Sequence, residues 1–158
     1  MEEQIMNMPA VALRGLTILP GMIAHFDISR ERSLRAVEEA MEQDQKIYLV
    51  TQRNVDSEDP TQEDLYQMGI VADIKQVVRL QNDVVRILVD GISRAALLGF
   101  TGNEKYLEAE ICYCDSNADS LPEDLREAML LGVREAFHRY AAVVGKISKE
   151  LIRQIDQY

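Results

Sequence analysis

GIVADIKQVVRLQNDVVRILVDGISRAALLGF, residues 69–100, decides the fold. It reads as two long β-strands joined by a very tight turn. In the first arm Ile70, Ala72, Ile74, Val78 and Leu80 share one face, with Gln76 the one polar exception. Asp73, Lys75 and Arg79 share the other face. Period-two alternation of this kind marks a strand with one buried side. The turn is Gln81-Asn82-Asp83, and Asn and Asp are the non-glycine residues that best tolerate the positive φ of a hairpin turn. The second arm, Val84 to Val89, is rich in β-branched residues until Asp90-Gly91 interrupts it. A glycine inside a strand pattern predicts a bulge or a close backbone approach. The pattern resumes at Ile92, with Ala96, Leu98 and Phe100 on one face. A bent hairpin of this length needs other strands to cover it, so a sheet is expected to wrap around it.

Upstream, residues 5–19 alternate loosely and predict an opening strand kinked at Gly15. Pro20-Gly21 is a turn dipeptide. A second strand is expected over Met22–Ile28. Ser29 is placed as the N-cap of an amphipathic helix over Arg30–Gln43, with Leu34, Val37, Ala40 and Met41 at helical spacing. Glu31–Arg35 and Arg35–Glu39 are i,i+4 pairs on its solvated side. Ile47-Tyr48-Leu49-Val50 is a continuous apolar run and predicts a strand buried on both sides at the sheet centre. Gln52 to Asp64 is an acidic loop, with Thr61 and Asp64 in a capping-box arrangement.

Downstream, Leu107, Ala109, Ile111 and Tyr113 alternate with Glu108, Glu110 and Cys112 as a last strand. At Asp115 the character changes to a small-polar linker. Ser120-Leu121-Pro122-Glu123 then reads as a capping box with proline in the first turn. Leu125, Met129, Val133, Ala136, Phe137, Tyr140 and Val144 make a helical stripe, Gly145 is placed past its end, and Ser148 caps another helix. The expected division is therefore a β-rich domain over 1–116 and a helical segment over 117–158. The last amphipathic stripe is cut in mid-pattern. It reads as the start of a helical subdomain in a longer protein, or as a C-terminal helix that simply frays.

Composition narrows the function. The 158 residues are 47% hydrophobic and 28% charged, ordinary values for a globular protein. A net charge of -10 argues against nucleic acid as the main partner, because phosphate binding draws on clustered Lys and Arg. No apolar run is long enough for a membrane span. The acidic start Met1-Glu2-Glu3 is unlike a signal peptide, and two cysteines imply no disulfide framework, so a cytoplasmic setting is expected.

Catalytic and cofactor signals are missing. Gly145-Lys146 is followed by Ile147, and Tyr140 stands where a phosphate loop needs its first glycine. No Gly-x-Ser-x-Gly elbow occurs. Cys112 and Cys114 share a strand face, but as metal ligands they need two partners, and only His25 and His138 are on offer. Packing residues are the simpler reading for the thiols, and surface or helix-face roles for the histidines. Glu108 and Glu110 read as the solvent face of a strand. No nucleophile, base and orienting group combine, so neither catalysis nor a bound cofactor or metal is expected in this chain. What remains is apolar surface. Leu19, Met22 and Ile23 flank a turn that can bury little, and Tyr66 and Met68 lie just before the hairpin. Exposed methionine suits adaptable apolar binding, although each of these five also reads as plain core.

The order of these blocks resembles the N-terminal region of the bacterial Lon proteases. Met8-Pro9-Ala10-Val11-Ala12-Leu13-Arg14 with Leu19-Pro20-Gly21-Met22 is similar to its opening, and Arg30-Glu31-Arg32-Ser33 to its first helix. Asp59-Pro60-Thr61-Gln62-Glu63-Asp64-Leu65-Tyr66 with Gly69-Ile70-Val71-Ala72 resembles its next block. Val89-Asp90-Gly91, Arg94 and Tyr106-Leu107-Glu108-Ala109-Glu110 continue the match. Departures fall at Gly15, at Leu19 where the family usually has Phe, and at Asn82-Asp83 where it usually has Asp-Gly. The resemblance implies an α+β fold, a β-rich PUA-like pseudo-barrel with one packed helix, followed by the start of an α-helical bundle. It also implies a non-catalytic module that captures unfolded or damaged proteins and helps assemble a homohexamer. In the parent protein ATP and Mg would serve an ATPase, and a Ser-Lys endopeptidase would cut; neither lies in this chain. The substrate-binding residues expected are Leu19, Met22, Ile23, Tyr66 and Met68. The alternatives are a mainly structural, oligomerising domain, or a stand-alone adaptor of the same shape, including an RNA-binding one.

Overall fold

Strand β1 (Ile5–Leu13) opens a computed structural model in which residues 5–114 and 121–157 are described. It is followed by β2 (Ile23–Ile28), helix α1 (Glu31–Glu42), β3 (Lys46–Thr51), β4 (Met68–Arg79), β5 (Val85–Phe100) and β6 (Glu108–Tyr113). The sheet order is β2-β5-β4-β3-β1-β6, and β5 also pairs with β6. That extra pairing closes β1, β3, β4, β5 and β6 into a ring. All neighbours are antiparallel except β1 and β3, which run parallel. The fold is α+β and strand-rich, the pseudo-barrel that the resemblance implied.

The central hairpin forms, with two irregularities in its own ladder. Beyond Gly91 the expected shared face of Ala96, Leu98 and Phe100 does not hold. Ala95 and Leu97 are buried, Leu98 is exposed, and a register shift against β6 between Leu97 and Gly99 puts Phe100 with the buried set. Asn82 and Asp83 take φ of 59° and 56°, the left-handed pair that a two-residue hairpin turn requires. Leu80 N–H donates to the Val84 carbonyl across it at 2.8 Å. Ala72 pairs with Gly91 and Val71 with Ser93, so Ile92 is an extra residue and the predicted bulge is present. The second irregularity falls in β4. Ile74 pairs with Val89 and Gln76 with Leu88, which makes Lys75 an extra residue. The expected run Ile74–Val78–Leu80 on one face therefore breaks. Val77, not Val78, continues the face of Ile74, opposite Ile87, and Gln76 moves to the other side. One inserted residue accounts for the polar exception in the sequence.

Two apolar clusters lie on the two faces of the sheet. Inside the ring are Met8, Ala10, Ala12, Tyr48, Val50, Val71, Ala95, Leu97, Ala109 and Ile111. Outside it, Val11, Leu13, Ile47, Leu49, Ile70 and Ile74 meet Ala36, Val37 and Ala40 of α1 and Ala24 and Ile28 of β2. Burying each large aliphatic side chain contributes roughly 1.5–3 kcal/mol. β3 is central, as expected: Ile47 to Val50 are buried on both faces between β1 and β4.

Several sequence expectations are corrected. The opening strand does not continue through a kink at Gly15. It stops at Leu13, because Gly15 adopts φ +64° and turns the chain away. Ser29 is not the cap of α1. Arg30 occupies that position, and no side chain caps the helix. The buried stripe of α1 is Ser33, Ala36, Val37 and Ala40, with Met41 left exposed. Glu31 does pair with Arg35 at 2.5 Å, while Glu39 accepts from Gln43 at 2.7 Å.

The chain clusters into two units, Met1–Asp115 and Ser116–Tyr158. In the second, α2 (Glu123–Val144) and α3 (Lys149–Asp156) form a helical pair. Pro122 stands at the N-cap of α2, and no side chain caps it; the expected cap, Ser120, lies outside the described residues. Gly145 ends α2 in the left-handed conformation, and Ser148 Oγ accepts from Leu151 N–H at 3.2 Å to cap α3. His138 Nε2 lies 2.7 Å from Asp156 Oδ1, which ties the two helices together.

Candidate functional site

Local sequence shapes a groove beside the hairpin. Leu19-Pro20-Gly21-Met22 is a turn closed by Met22 N–H on the Leu19 carbonyl at 3.1 Å. Proline second and glycine third at φ +75° give the type II geometry. The turn is clamped to the bulge in β5: Gly21 N–H donates to the Gly91 carbonyl at 2.7 Å, and Gly91 N–H donates to Met22 at 2.9 Å. This is the close backbone approach that the glycine signalled. A Cβ on Gly91 would overlap the Leu19 carbonyl and lie 2.8 Å from Ile70 Cδ1. Buried Ile18 anchors the segment, so Leu19 points outward at 58% exposure.

The opposite wall comes from residues 65–69. Leu65 is buried, and Tyr66 N–H donates to the Thr51 carbonyl at 3.0 Å. Thr51 Oγ1 in turn donates to the Leu16 carbonyl at 2.8 Å, so the two walls share one strand end. The Tyr66 ring lies under the Arg53 guanidinium, 5.2 Å from its centroid, and Arg53 Nε donates to the Leu65 carbonyl at 2.9 Å. Gly69 leaves room for Tyr48: a Cβ there would sit 2.5 Å from Tyr48 Cζ. The Tyr48 hydroxyl donates to the Ala95 carbonyl at 3.1 Å, and burial pushes its pKa well above the ordinary phenol value.

Between these walls lies an open, mostly apolar groove of about 570 Å³, within the usual range of ligand-sized clefts. Of the five residues expected from sequence, Leu19, Tyr66 and Met68 line it. Met22 and Ile23 do not; they lie beyond Leu19, at the far side of the turn and the start of β2. All five are exposed, Ile23 most of all at 68%. Sequence reasoning missed Thr17, Ile18, Arg53 and Arg94, which also line it. Arg94 does alternate outward along β5, but nothing local ties it to Arg53 or Leu19.

A second polar centre orders the 52–60 loop. The Ser57 carbonyl accepts from Arg14 Nη2 at 3.0 Å, Arg30 Nη2 at 3.2 Å and Gln52 Nε2 at 3.0 Å. Arg30 also reaches Gln52 Oε1 at 2.9 Å. Burial, then the neighbouring Arg14 charge, lowers the Arg30 pKa. This centre holds a loop and presents no reactive group.

Gly145-Lys146 closes α2 instead of opening a helix, so it offers no phosphate cradle. Cys114 Sγ lies 3.8 Å from Met68 Sδ, and neither cysteine is in a disulfide. Among the described residues, no three His, Cys, Asp or Glu side chains gather as a metal site. Among them also, no helix is long and apolar enough to cross a membrane.

The profile of the family described as the ATP-dependent protease La (LON) substrate-binding domain matches residues 7–158. The chain belongs to this family. Lon protease of Lachnoclostridium phytofermentans is 38% identical over 99% of the chain, and Lon protease 1 of Bacillus subtilis is 32% identical over 94%. In both cases the chain spans only 19% of the relative's length. Among solved structures, the N-terminal domain of Mycobacterium avium complex Lon protease matches with a TM-score of 0.73 at 16% identity, covering 97% of this chain and 76% of that one. A Lon N-terminal domain protein from Xanthomonas campestris gives 0.59 at 16% identity, over 83% and 72%. These two likenesses support the fold. For a Lon substrate-binding domain, an exposed apolar groove beside the closed ring is the feature to explain.

Proposed function

We propose that this chain is the non-catalytic substrate-recognition module of an ATP-dependent Lon-type protease, and that it captures unfolded or damaged proteins through the 19/66/68 groove. The supporting observation is that Leu19, Tyr66 and Met68 line one cleft although they come from separate segments. Met22 and Ile23 extend the apolar surface from the same turn. A folded protein hides apolar segments and an unfolded one exposes them, so such a surface discriminates by accessibility. Methionine adapts to many sequences through its flexible thioether, and tyrosine supplies contact area at low ordering cost. ATP, Mg and the peptide-cutting residues belong, in this reading, to other parts of the full-length cytoplasmic protein, and nucleic acid and membranes are not its partners. The test is an NMR titration with one reporter protein in folded and in permanently unfolded form. Shifts are expected only with the unfolded form, around the groove and the 19–23 turn. Equal shifts with both forms, or none near the groove, would refute the proposal.

A second reading, assembly of a homohexamer, is favoured by the helical unit. Among its described residues none is buried, and Met129, Leu131, Val133 and Val143 are exposed on α2. Sedimentation of the chain, with and without Leu131→Ser and Val133→Ser, tests it. Self-association that disappears in the variants is the expected outcome; a monomer at every concentration contradicts it.

A further inference from the structure

The groove carries the wrong charge for its protein. The chain has 27 Asp and Glu against 17 Lys and Arg, yet the cleft lining holds Arg53 and Arg94 and no carboxylate. Among the described residues, neither guanidinium has a carboxylate within 4.0 Å. Four other arginines of this unit find acids, Arg32 with Asp59, Arg35 with Glu31, Arg79 with Glu38 and Arg86 with Asp27, while Arg14 and Arg30 bond the Ser57 carbonyl instead. Two arginines with no acidic partner among the described residues, beside an apolar cleft of an acidic domain, are placed for a negative charge from outside.

We propose that the groove selects, among exposed apolar segments, those that carry an Asp or Glu side chain beside the apolar residues. This rests on the groove being the capture site, and it adds a chemical class to what is captured. The apolar part would lie between Leu19, Tyr66 and Met68, with the carboxylate reaching Arg94 at the rim. Arg53 is already oriented by its bond to the Leu65 carbonyl and by the Tyr66 ring, so it adds positive potential more than a free fork. Guanidinium matches carboxylate bidentately, and such complementarity sets specificity more than raw affinity. The surrounding excess of negative charge repels acidic chains at long range. Selection therefore acts on one or two carboxylates held at contact, within a segment whose apolar part supplies the binding.

Three peptides with one apolar, aromatic core test this, flanked by Glu, Gln or Lys and amidated at the C-terminus. Each is titrated into the chain by fluorescence anisotropy, with NMR shifts mapping the site. The Glu peptide is expected to bind about fivefold tighter than the Gln peptide, the upper range for one solvent-accessible ion pair. The advantage should shrink with added salt. Arg94→Gln should erase the Glu–Gln difference, and a Glu advantage that survives in that variant overturns the proposal. A fourth peptide, the Gln version with a free C-terminus, separates side-chain from chain-end carboxylates; tighter binding of that peptide than of the Glu peptide overturns the proposal. Equal binding of Glu, Gln and Lys peptides at the groove overturns the selectivity and leaves the capture site standing. Absence of any binding at the groove removes the capture site itself.

Discussion

Gly91→Ala tests whether the tip of the groove is built on the β5 bulge. An added Cβ would overlap the Leu19 carbonyl and would sit 2.8 Å from Ile70 Cδ1 and 3.3 Å from Ile18 Cγ2. Ile70 can change rotamer, but a backbone carbonyl moves only if the 19–22 turn moves. Overpacking of this kind costs about 1–3 kcal/mol. Displacing the turn also strains two backbone hydrogen bonds, Gly21 to Gly91 and Gly91 to Met22, each worth about 0.5–1.5 kcal/mol. The sum is a loss of about 2–6 kcal/mol, a large share of the roughly 5–15 kcal/mol that holds a domain folded. Urea unfolding followed by tyrosine fluorescence measures it. Gly132→Ala is the control, because nothing lies within 4 Å of a Cβ there, in the middle of α2. It should stabilise its helix by about 0.5–1 kcal/mol. A Gly91→Ala protein within about 0.5 kcal/mol of the parent, the range of an ordinary surface substitution, would refute the close approach and the clamp that depends on it.

Other expectations follow from single contacts. Tyr48→Phe removes the hydroxyl bonded to Ala95 and should cost about 1 kcal/mol in urea unfolding at neutral pH. Burial raises the Tyr48 pKa above its unfolded value, so its stabilising protonation is complete at neutral pH and is lost as pH rises past about 10. The variant should therefore lose less stability between pH 9 and 11, as an order-of-magnitude window around the ordinary phenol value. Arg30→Ala leaves Gln52 Oε1 and the Ser57 carbonyl each short of one donor. It should cost about 1–3 kcal/mol and speed amide exchange across the 53–60 loop, read by mass spectrometry. Arg86 holds the Asp27 carboxylate bidentately at 2.6 and 2.8 Å, which lowers the Asp27 pKa through that hydrogen bond first. Its stabilisation is present above the ordinary carboxylate range and lost as pH falls through the lowered value. Arg86→Gln should move the Asp27 carboxyl titration upward in NMR, and an unmoved titration contradicts the pairing.

The elements governed by local chemistry were legible in the chain. Asn82-Asp83, Pro20-Gly21 and Gly91 each named a backbone event that the structure contains. The unbroken run Ile47–Val50 placed β3 at the centre. The bulge at Lys75 was not legible, because an inserted residue carries no glycine to mark it; its trace was the misplaced Gln76. One glycine serves a kink or a stop, so Gly15 does not declare in sequence that the strand ends before it. Ring closure through β5 and β6 pairs residues that no local pattern links. The groove divides in the same way. Leu19, Tyr66 and Met68 stood out as apolar residues beside turns, whereas Arg53 and Arg94 join them only through the tertiary fold. Met22 and Ile23 were grouped with Leu19 by sequence distance, and the turn carries them to its other side.

Affinity of the chain for a permanently unfolded reporter, before and after Tyr66→Ser and Met68→Ser together, tests the central claim most directly. Truncating two exposed anchors of a true binding surface costs more than about 1 kcal/mol each. The account predicts at least a tenfold weakening with thermal unfolding unchanged, because neither side chain belongs to the buried clusters. Unchanged affinity in a normally folded double variant would contradict it and move substrate capture away from this groove.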